Sequence, residues 1–368
     1  MANYTQKLAN MRSRRMGLGN AALSANFREA VALDSITEEF SEAYEKRAKT
    51  DAIKYALGAM QALDAKYTAI SFQEGDRVKN QLGPCLQSVG ISATFEYQGS
   101  VPLDIHIRRA SDIDLLVLHD RFVTIDHTGP RAQTYFTLPL SVLDEMLKLR
   151  SQCESILTQK FPAVTVDTSG AKSISLSGGS LQRKIDVVPS HWHDTAAYQV
   201  SKEKHDREVK VLDRHERTLI TNRPFLHMRR IEEKDGRTNG CTKKVIRLLK
   251  NLKRDSSKDI KLSSYDIAAL VWHFSDQALN KPYYLELSLV AETLSCLQFM
   301  LNNLGYARTL DVPDMSRKIL DADGKILALQ QLKAEVDELA MNLVLELKSI
   351  YPDNQDFIRK SLAEAQVF

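Results

Sequence analysis

The sequence predicts an α+β protein in which a region of short strands lies between N-terminal helices and an all-helical C-terminal part. Apolar residues recur at helical spacing before residue 70, and β-rich runs separated by turn residues replace them between residues 94 and 188. Amphipathic helix patterns return after residue 239. At 368 residues, the chain is long enough for about two domains.

The N-terminal helices are predicted from two apolar patterns, one from Phe27 to Tyr44 and the other from Ala52 to Tyr67. Residues 1–20 are basic and weakly patterned, and they include two glycines. We therefore expect residues 1–20 to form a mobile arm.

The central strands are predicted as short apolar, β-branched runs between turn residues. These runs are Thr94–Gln98, Ile113–Leu118, Ala163–Val166, Ser173–Leu176 and Ile185–Val188. One helix interrupts them, from Ser141 to Lys160, and Ser141 with Asp144 three residues later forms a capping-box pattern.

The C-terminal helices are predicted after Ser201, where we expect the strands to stop. Their ranges are Asn239–Arg254, Ser263–Asn280, Tyr283–Leu304, Ile326–Leu347 and Asn354–Ala365. The predicted organisation is an arm at residues 1–20, helices and the strand region at residues 21–200, and a helical domain at residues 201–368.

Composition excludes several protein classes. Hydrophobic residues make up 43% and charged residues 26%, with 15 Gly and 10 Pro, so a disordered or collagen-like chain is excluded. No apolar run resembles a signal peptide or reaches the roughly 18 residues that a membrane-spanning helix needs. We expect a soluble, cytoplasmic protein without a membrane partner.

Cysteine and histidine spacing predicts neither a disulfide framework nor a zinc site. The four cysteines are scattered without a C-x-x-C pair, and we expect reduced thiols. His191 and His193 flank Trp192 and could ligate a metal, but no cysteine lies near them in the sequence. We favour a polar loop after a strand at this position.

Charge is distributed unevenly along the chain. The formal net charge is +3, but residues 202–261 carry 19 Lys plus Arg against 10 Asp plus Glu, a local net charge of +9. Such a segment favours a polyanionic partner, either nucleotide phosphates or a nucleic-acid backbone, and the alternative is a solvated helix surface.

Three carboxylates occur in strands that are otherwise apolar. Asp112 and Asp114 open one strand and face the same side, so their charges repel unless a cation compensates. Asp186 lies in a second strand, and the three acids together would suit Mg²⁺ or Mn²⁺. In a structural alternative, Asp112 caps a turn and Asp186 pairs with Lys184 or Arg183.

Two further patterns are typical of phosphate binding. The segment Tyr97-Gln98-Gly99-Ser100 leads from a strand into a turn, where a glycine permits close approach and the serine and amides can donate to phosphate. In the helical part, Ser263 with Asp266 predicts a capped helix start that leaves Ser264 at a positive helix end. The preceding helix has an apolar stripe and a row of cations, which are Lys243, Arg247, Lys250 and Arg254.

Gly99-Ser100, Asp112-Ile113-Asp114 and Asp186 resemble the signature of the polymerase-β-like nucleotidyltransferases. The segments Val245–Lys250 and Ser263-Ser264-Tyr265 are similar to the cGAS/DncV-like nucleotidyltransferases (CD-NTases) of bacterial anti-phage signalling and to the 2′-5′ oligoadenylate synthetases. This resemblance implies a nucleotidyltransferase core with a mixed sheet, N-terminal helices before it, a helical domain after it and an active site in the cleft between core and helical domain.

The resemblance also implies residue roles. Asp112, Asp114 and Asp186 would hold two Mg²⁺ or Mn²⁺ ions that activate a ribose hydroxyl and neutralise the pyrophosphate leaving group, with Asp186 as a candidate base. A further set would bind the donor nucleotide, with Tyr265 near its base: Gln98, Gly99, Ser100, Arg247, Lys250, Ser264 and Tyr265.

The implied activity joins NTPs, ATP among them, into a cyclic di- or trinucleotide for a downstream effector in an anti-phage (CBASS) system, with an activator protein or ligand as a further expected partner. DNA sensing is not supported, because the sequence lacks a Cys/His zinc insert like that of the animal DNA sensor. Two alternatives stay open. One is transfer to another acceptor, namely an RNA 3′ end, a linear oligoadenylate or a small molecule; the other is a catalytically silent scaffold that binds nucleotide or RNA.

Overall fold

The computed structural model describes residues 3–16, 42–108 and 111–368, which divide into two compact units. The sheet unit comprises Asp64–Asp104 and Ser111–Arg230. The helical unit comprises Met1–Leu63, Ile105–Ala110 and Ile231–Phe368.

An eight-stranded mixed sheet forms the centre of the sheet unit. Its strands are β1 (Ala93–Gln98), β2 (Ile113–His119), β3 (Thr124–Ile125), β4 (Thr165–Asp167), β5 (Ile174–Ser177), β6 (Ile185–Asp194), β7 (Glu208–Asp213) and β8 (Thr218–Asn222). The main order is β1-β2-β6-β5-β4, with β3 and β7 also paired to β6, and β8 paired to β7. β6 runs parallel to β2 and β3 and antiparallel to β5 and β7.

The helices follow the predicted distribution. They are α1 (Tyr4–Met16), α2 (Ala43–Lys46), α3 (Asp51–Met60), α4 (Ala65–Ser88), α5 (Val142–Lys160), α6 (Ala196–Ser201), α7 (Pro224–Arg237), α8 (Cys241–Asp255), α9 (Ser264–Trp272), α10 (Asp276–Leu279), α11 (Ser288–Asn302), α12 (Leu304–Ala307), α13 (Asp323–Lys348) and α14 (Gln355–Glu364). Across the described ranges, no helix is both long enough and apolar enough to span a membrane.

The two faces of the sheet carry separate apolar clusters. On β2, Leu115 and Val117 belong to the cluster that includes α4 and α5 side chains, whereas Leu116 belongs to a smaller cluster on the opposite face. Side chains alternate along a strand, so Asp114 and Asp186 lie on the face of the smaller cluster. This alternation keeps both carboxylates out of the larger apolar core.

In the helical unit, α3 and α8 pack on each other and on α1 and α13, and α11 packs on α13 and α14. The apolar stripe predicted for α8 is confirmed, since its members are fully buried: Val245, Leu248, Leu249 and Leu252. The predicted cap of α5 is also present, because the Ser141 hydroxyl accepts a hydrogen bond from the Asp144 amide at 3.3 Å.

The expectation of a mobile arm is wrong for Tyr4–Met16, which form α1 with Leu8 and Met11 buried. The basic side chains that suggested an arm are paired instead. Arg12 bonds to Glu45 at 2.9 Å, and Arg14 bonds to Asp255. The helix predicted from Phe27 falls mostly on residues 17–41, which lie outside the described residues.

The expectation that strands stop at Ser201 is also wrong, because β7 and β8 follow it and the sheet unit extends to Arg230. β7 has the sequence Glu-Val-Lys-Val-Leu-Asp, and both of its valines are buried. The charged residues between and beside the valines make the strand difficult to predict. The single helix predicted from Ser263 to Asn280 is two helices, because the Ser275 hydroxyl caps a new helix by accepting from the Ala278 amide.

The pattern predicted from Ala52 to Tyr67 forms two helices, α3 and the start of α4, and α4 continues to Ser88. This continuation includes Gly75, Gly83 and Pro84, which disfavour a helix. Gly75 is explained by packing: a Cβ there would lie 2.5 Å from the Tyr97 ring, whereas a Cβ at Gly83 would lie 3.4 Å from the Phe95 ring. Tertiary contact therefore outweighs local preference at Gly75.

Gly75→Ala should lower the free energy of unfolding by about 1–3 kcal/mol, because the added methyl group overlaps the Tyr97 ring. Gly83→Ala, on the same helix, should be neutral or stabilise by up to about 1 kcal/mol, through helix propensity. Chemical denaturation measures both values. Equal effects of the two substitutions would contradict the proposed overlap with Tyr97.

Candidate active site

The three predicted acids lie at one edge of the sheet. Asp114 in β2 is the direct register partner of Asp186 in β6, across two parallel strands. Asp112 immediately precedes β2 and, two residues before Asp114, faces the same side. Gln98 at the end of β1 pairs with Asp114. The sheet therefore brings the acids together with the Gly99-Ser100 turn.

Gly99 permits this turn to approach the acids. Its φ is +83°, in the left-handed region that favours glycine. A Cβ at this position would lie 2.3 Å from Asp114 Oδ2, which is far shorter than a van der Waals contact. A side chain at residue 99 is thus incompatible with the observed position of the Asp114 carboxylate.

Lys184 bridges two of the acids. Its Nζ donates to Asp112 Oδ2 at 2.6 Å and to Asp186 Oδ2 at 3.2 Å. Partial burial acts against the charged ammonium, but hydrogen bonds and charge from Asp112 and Asp186 outweigh it and raise the pKa of Lys184. The pairing of Asp186 with Lys184 that the sequence offered as an alternative is therefore present. Arg183 instead stacks on the Tyr67 ring, at 3.9 Å from its centre.

These residues fit a hard divalent cation. Asp186 Oδ1 is buried and has no hydrogen-bond partner among the described residues, a costly state that a metal ion would relieve. Carboxylate oxygens are the ligands that Mg²⁺ prefers. In the described ranges, no three His, Cys, Asp or Glu side chains are close enough together to hold a metal ion. The ammonium of Lys184 instead bridges Asp112 and Asp186.

Two of the predicted phosphate contacts, Arg247 and Lys250 on α8, are buried in the helical unit. Arg247 Nε donates to the Met60 carbonyl at 2.7 Å, and Lys250 Nζ donates to the Ile105 carbonyl at 2.6 Å. The two residues are only 6% and 4% exposed, which excludes the solvated-surface alternative for them. Their contact with phosphate stays a prediction.

The predicted start of α9 is confirmed as a capping box between Ser263 and Asp266. Ser264 is exposed in its first turn. Burial and a hydrogen bond to Asp314 raise the pKa of Tyr265 well above its usual value. Arg317 Nη2 lies 2.7 Å from Asp266 Oδ1, a cation at this helix end that the sequence patterns did not indicate. Roles for Ser264 and Tyr265 in nucleotide binding stay predictions.

The basic segment at residues 202–261 is extensively paired with carboxylates. Each of the following pairs lies within 4 Å: Lys204 with Glu96, Arg207 with Asp194, Arg223 with Glu208, Lys234 with Asp276, and Lys244 with Glu286. Several of these carboxylates come from distant parts of the sequence. Glu208 lies inside the segment and the other four carboxylates lie outside it, so these pairs offset four of the nine excess positive charges. A polyanionic partner for the segment stays a prediction.

His191 and His193 lie within β6, so the interpretation as a polar loop is wrong. The Thr124 hydroxyl lies 3.1 Å from His191 Nε2 and 2.9 Å from His193 Nδ1. Burial, together with the nearby charges of His193, Lys210 and His119, lowers the pKa of His191 to about 3. β6 is difficult to predict from the sequence at this point, because its polar residues are buried rather than exposed.

His191 should make the protein less stable as the pH falls below about 6.5, where its imidazole gains a proton in the unfolded state but not in the folded state. Between pH 7.5 and 5.5 this contribution amounts to about 1 kcal/mol. Denaturant titrations of the native protein and of His191→Leu should therefore diverge in their pH dependence, with the variant less sensitive. Parallel pH curves would contradict a buried neutral imidazole.

Carboxylates paired across parallel strands, beside a glycine turn, suit the divalent cations that nucleotidyl transfer uses. Comparison with known proteins agrees. Residues 229–341 match the family described as the cGAS/DncV-like nucleotidyltransferase C-terminal helical domain. The cyclic dinucleotide synthase CdnE of Yersinia aleksiciae is 42% identical over 311 residues, covering 83% of this chain and 81% of that protein. This chain therefore belongs to the cGAS/DncV-like nucleotidyltransferases, and it is an enzyme of the nucleotidyltransferase class.

Two further relatives support the assignment. A c-di-GMP synthase of Lachnospiraceae bacterium (strain RUG226) is 34% identical over 245 residues, covering 61% of this chain and 69% of that protein. The structure of a STING-associated CdnE c-di-GMP synthase from Capnocytophaga granulosa has a TM-score of 0.73 at 25% identity, and covers 94% of this chain and 100% of that one. The predicted fold, a nucleotidyltransferase core with N-terminal helices and a C-terminal helical domain, is thus confirmed.

Proposed function

We propose that this protein joins two nucleoside triphosphates into a cyclic dinucleotide, releasing pyrophosphate as each bond forms. The observation that carries the proposal is the direct pairing of Asp114 with Asp186, with Asp112 on the same side. The Yersinia relative is named a cyclic dinucleotide synthase, and the Lachnospiraceae and Capnocytophaga relatives are named c-di-GMP synthases, which supports this product class.

The proposal includes two Mg²⁺ or Mn²⁺ ions held by Asp112, Asp114 and Asp186. When bound, such ions supply activation of the attacking ribose hydroxyl and neutralisation of charge on the pyrophosphate. Asp186 Oδ1, buried and without a described hydrogen-bond partner, is the oxygen best suited to accept the hydroxyl proton or to bind the cation beside it. The carboxylates thus position and activate, with no covalent intermediate on the protein.

Donor binding is assigned to the turn at the same sheet edge. Gln98, Gly99 and Ser100 would approach the phosphates, with the Ser100 hydroxyl and backbone amides as donors. The contacts expected of Arg247, Lys250, Ser264 and Tyr265 with the donor nucleotide remain part of the proposal.

The proposed biological role is anti-phage (CBASS) signalling through an effector that responds to the cyclic dinucleotide. The CdnE name of the Yersinia relative and the STING association of the Capnocytophaga synthase support this role. The family resemblance implies ATP among the substrates, and the names of the c-di-GMP synthases among the relatives suggest GTP. Both purine nucleotides therefore belong in the test.

The test is incubation of the purified protein with all four labelled NTPs and Mg²⁺ or Mn²⁺, followed by phosphatase treatment and chromatography. A phosphatase-resistant dinucleotide that forms only with the metal supports the proposal, and omission of each NTP in turn identifies its bases. A linear dinucleotide, which loses only its terminal phosphates to phosphatase and separates from the cyclic product by chromatography, would establish one of the other acceptors instead, and so would transfer only to added RNA. Nucleotide binding without turnover under all conditions would favour the silent scaffold.

A further inference from the structure

We propose that Lys184 is a built-in counter-cation of the carboxylate site, which holds Asp112 and Asp186 in the metal-free protein and competes with the divalent cation for them. The inference rests on the proposed function, since it takes these acids as the metal ligands. It assigns to Lys184 a positioning role at the site and predicts that the lysine weakens metal binding.

The backbone fixes Lys184 beside the acids. Its carbonyl accepts a hydrogen bond from the Ile113 amide at 3.0 Å, directly ahead of β6 and next to Asp112. Lys184 and Asp186 are two residues apart and so project to the same side of the sheet. The side chain of Lys184 is 43% exposed, so its ammonium can leave toward water while its main chain stays in place.

Electrostatics makes the lysine and a metal ion competitors. The ammonium bonds to Oδ2 of Asp112 and to Oδ2 of Asp186, so two of the acids each commit one oxygen to it. A divalent cation that engages the same oxygens would lie within a few ångströms of the ammonium, and the two positive charges would repel. Full coordination then requires the ammonium to move away.

The same arrangement explains how Asp112 and Asp186 stay near one another before a metal arrives. Without a cation their mutual repulsion would push the side chains apart. The lysine supplies one positive charge, which is enough to hold the geometry but too little to neutralise the site. The lysine therefore holds two of the acids in place while the site still attracts a divalent cation.

The test uses Mn²⁺ alone and the full chain, with bound Mn²⁺ measured by electron paramagnetic resonance. Lys184→Gln removes the competing charge, and Mn²⁺ should bind about fivefold more tightly, which corresponds to about 1 kcal/mol for the exposed ion pairs. Lys184→Met is a second variant that keeps the aliphatic stem and should behave in the same way. In protein stripped with EDTA, both variants should melt below the native protein, and saturating Mn²⁺ should reduce the difference.

Lys204→Gln is the matched control. Lys204 Nζ lies 3.1 Å from Glu96 Oε2 in the same unit, and its side chain is 53% exposed, but Glu96 is none of the three acids. This control should leave Mn²⁺ affinity unchanged. If Lys184→Gln leaves the affinity unchanged or weakens it while the native protein binds Mn²⁺, the proposal for Lys184 is overturned and the metal site survives. If none of the proteins binds Mn²⁺, the proposed metal site fails, and the role of Lys184 fails with it.

A second readout depends on turnover. In Lys184→Gln, the Mn²⁺ concentration that gives half-maximal product formation should fall by about the same factor as the dissociation constant. A shift in metal affinity without this shift in turnover would overturn the view that the competing lysine acts on the catalytic cation.

Discussion

Asp114→Asn and Asp186→Asn should each reduce product formation by about a thousandfold or more, because each removes a charge that the proposed cations need at the reacting phosphate. Asparagine keeps the size and shape of the side chain. The direct pairing of the two residues across β2 and β6 means that either change alters the same site. Single-turnover product formation at saturating Mg²⁺ and ATP plus GTP measures the loss.

Asp120→Asn is the matched control for these variants. Asp120 directly follows β2 at the opposite end of the strand from Asp112, is exposed, and accepts a hydrogen bond from the Thr94 hydroxyl at 2.9 Å. Its replacement should leave activity near the native value. Activity that survives in Asp114→Asn and Asp186→Asn would contradict the three-carboxylate site.

The free energy of unfolding of these variants distinguishes a loss of catalysis from a loss of folding. Removal of one of several like charges relieves repulsion, while the loss of a partly exposed ion pair with Lys184 costs little. We therefore expect the free energy of unfolding to change by no more than about 1 kcal/mol in either variant. If both substitutions unfolded the protein, the acids would have a structural role, which is the alternative considered in the sequence analysis.

Gly99→Ala should reduce activity by about a hundredfold, the effect of displacing a reacting group by about 1 Å. The added methyl group would lie 2.3 Å from Asp114 Oδ2, so the carboxylate or the turn must move. The left-handed backbone at φ +83° adds a further cost of about 1 kcal/mol in stability. Product formation and the free energy of unfolding are measured on the same preparation.

Gly90→Ala isolates the contribution of the backbone. Gly90 precedes β1 in the same unit with φ +79°, and a Cβ there would meet no described atom within 4 Å. It should lose about 1 kcal/mol of stability and retain its activity. Equal loss of activity in the two alanine variants would show that backbone strain, and not the contact with Asp114, is responsible.

Much of the fold follows from local patterns. The short apolar runs Ile113–Leu118 and Ile185–Val188 predicted two strands whose acids face one side, and the structure pairs those strands in register. Likewise, Ser141 and Ser263 predicted the starts of two helices within one residue. These features depend on neighbours in the chain, so a periodicity of two or of about 3.6 residues is enough to reveal them.

The predictions from sequence are wrong where burial or ion pairing outweighs the polarity of the local residues. The strands were expected to stop before β7, and the histidines of β6 suggested a loop, yet both segments are strands whose residues are mostly buried. The basic residues of α1 suggested a solvated arm, yet Arg14 pairs with Asp255, 241 residues away. Such partners cannot be read from local composition, because their distance is set by the fold.

The candidate site likewise has features that the sequence indicates and features that only the folded chain shows. Asp112, Asp114, Asp186 and Gly99 were singled out as candidates by the sequence, because carboxylates beside or within apolar strands and a glycine directly after a strand are local features. Their roles stay predictions. The bridge from Lys184 to Asp112, 72 residues apart, and the bond from Arg247 to the Met60 carbonyl, 187 residues apart, required the folded chain. Strand and helix periodicity is a property of consecutive residues, whereas charge compensation depends on distances in space that arise when separate segments pack together.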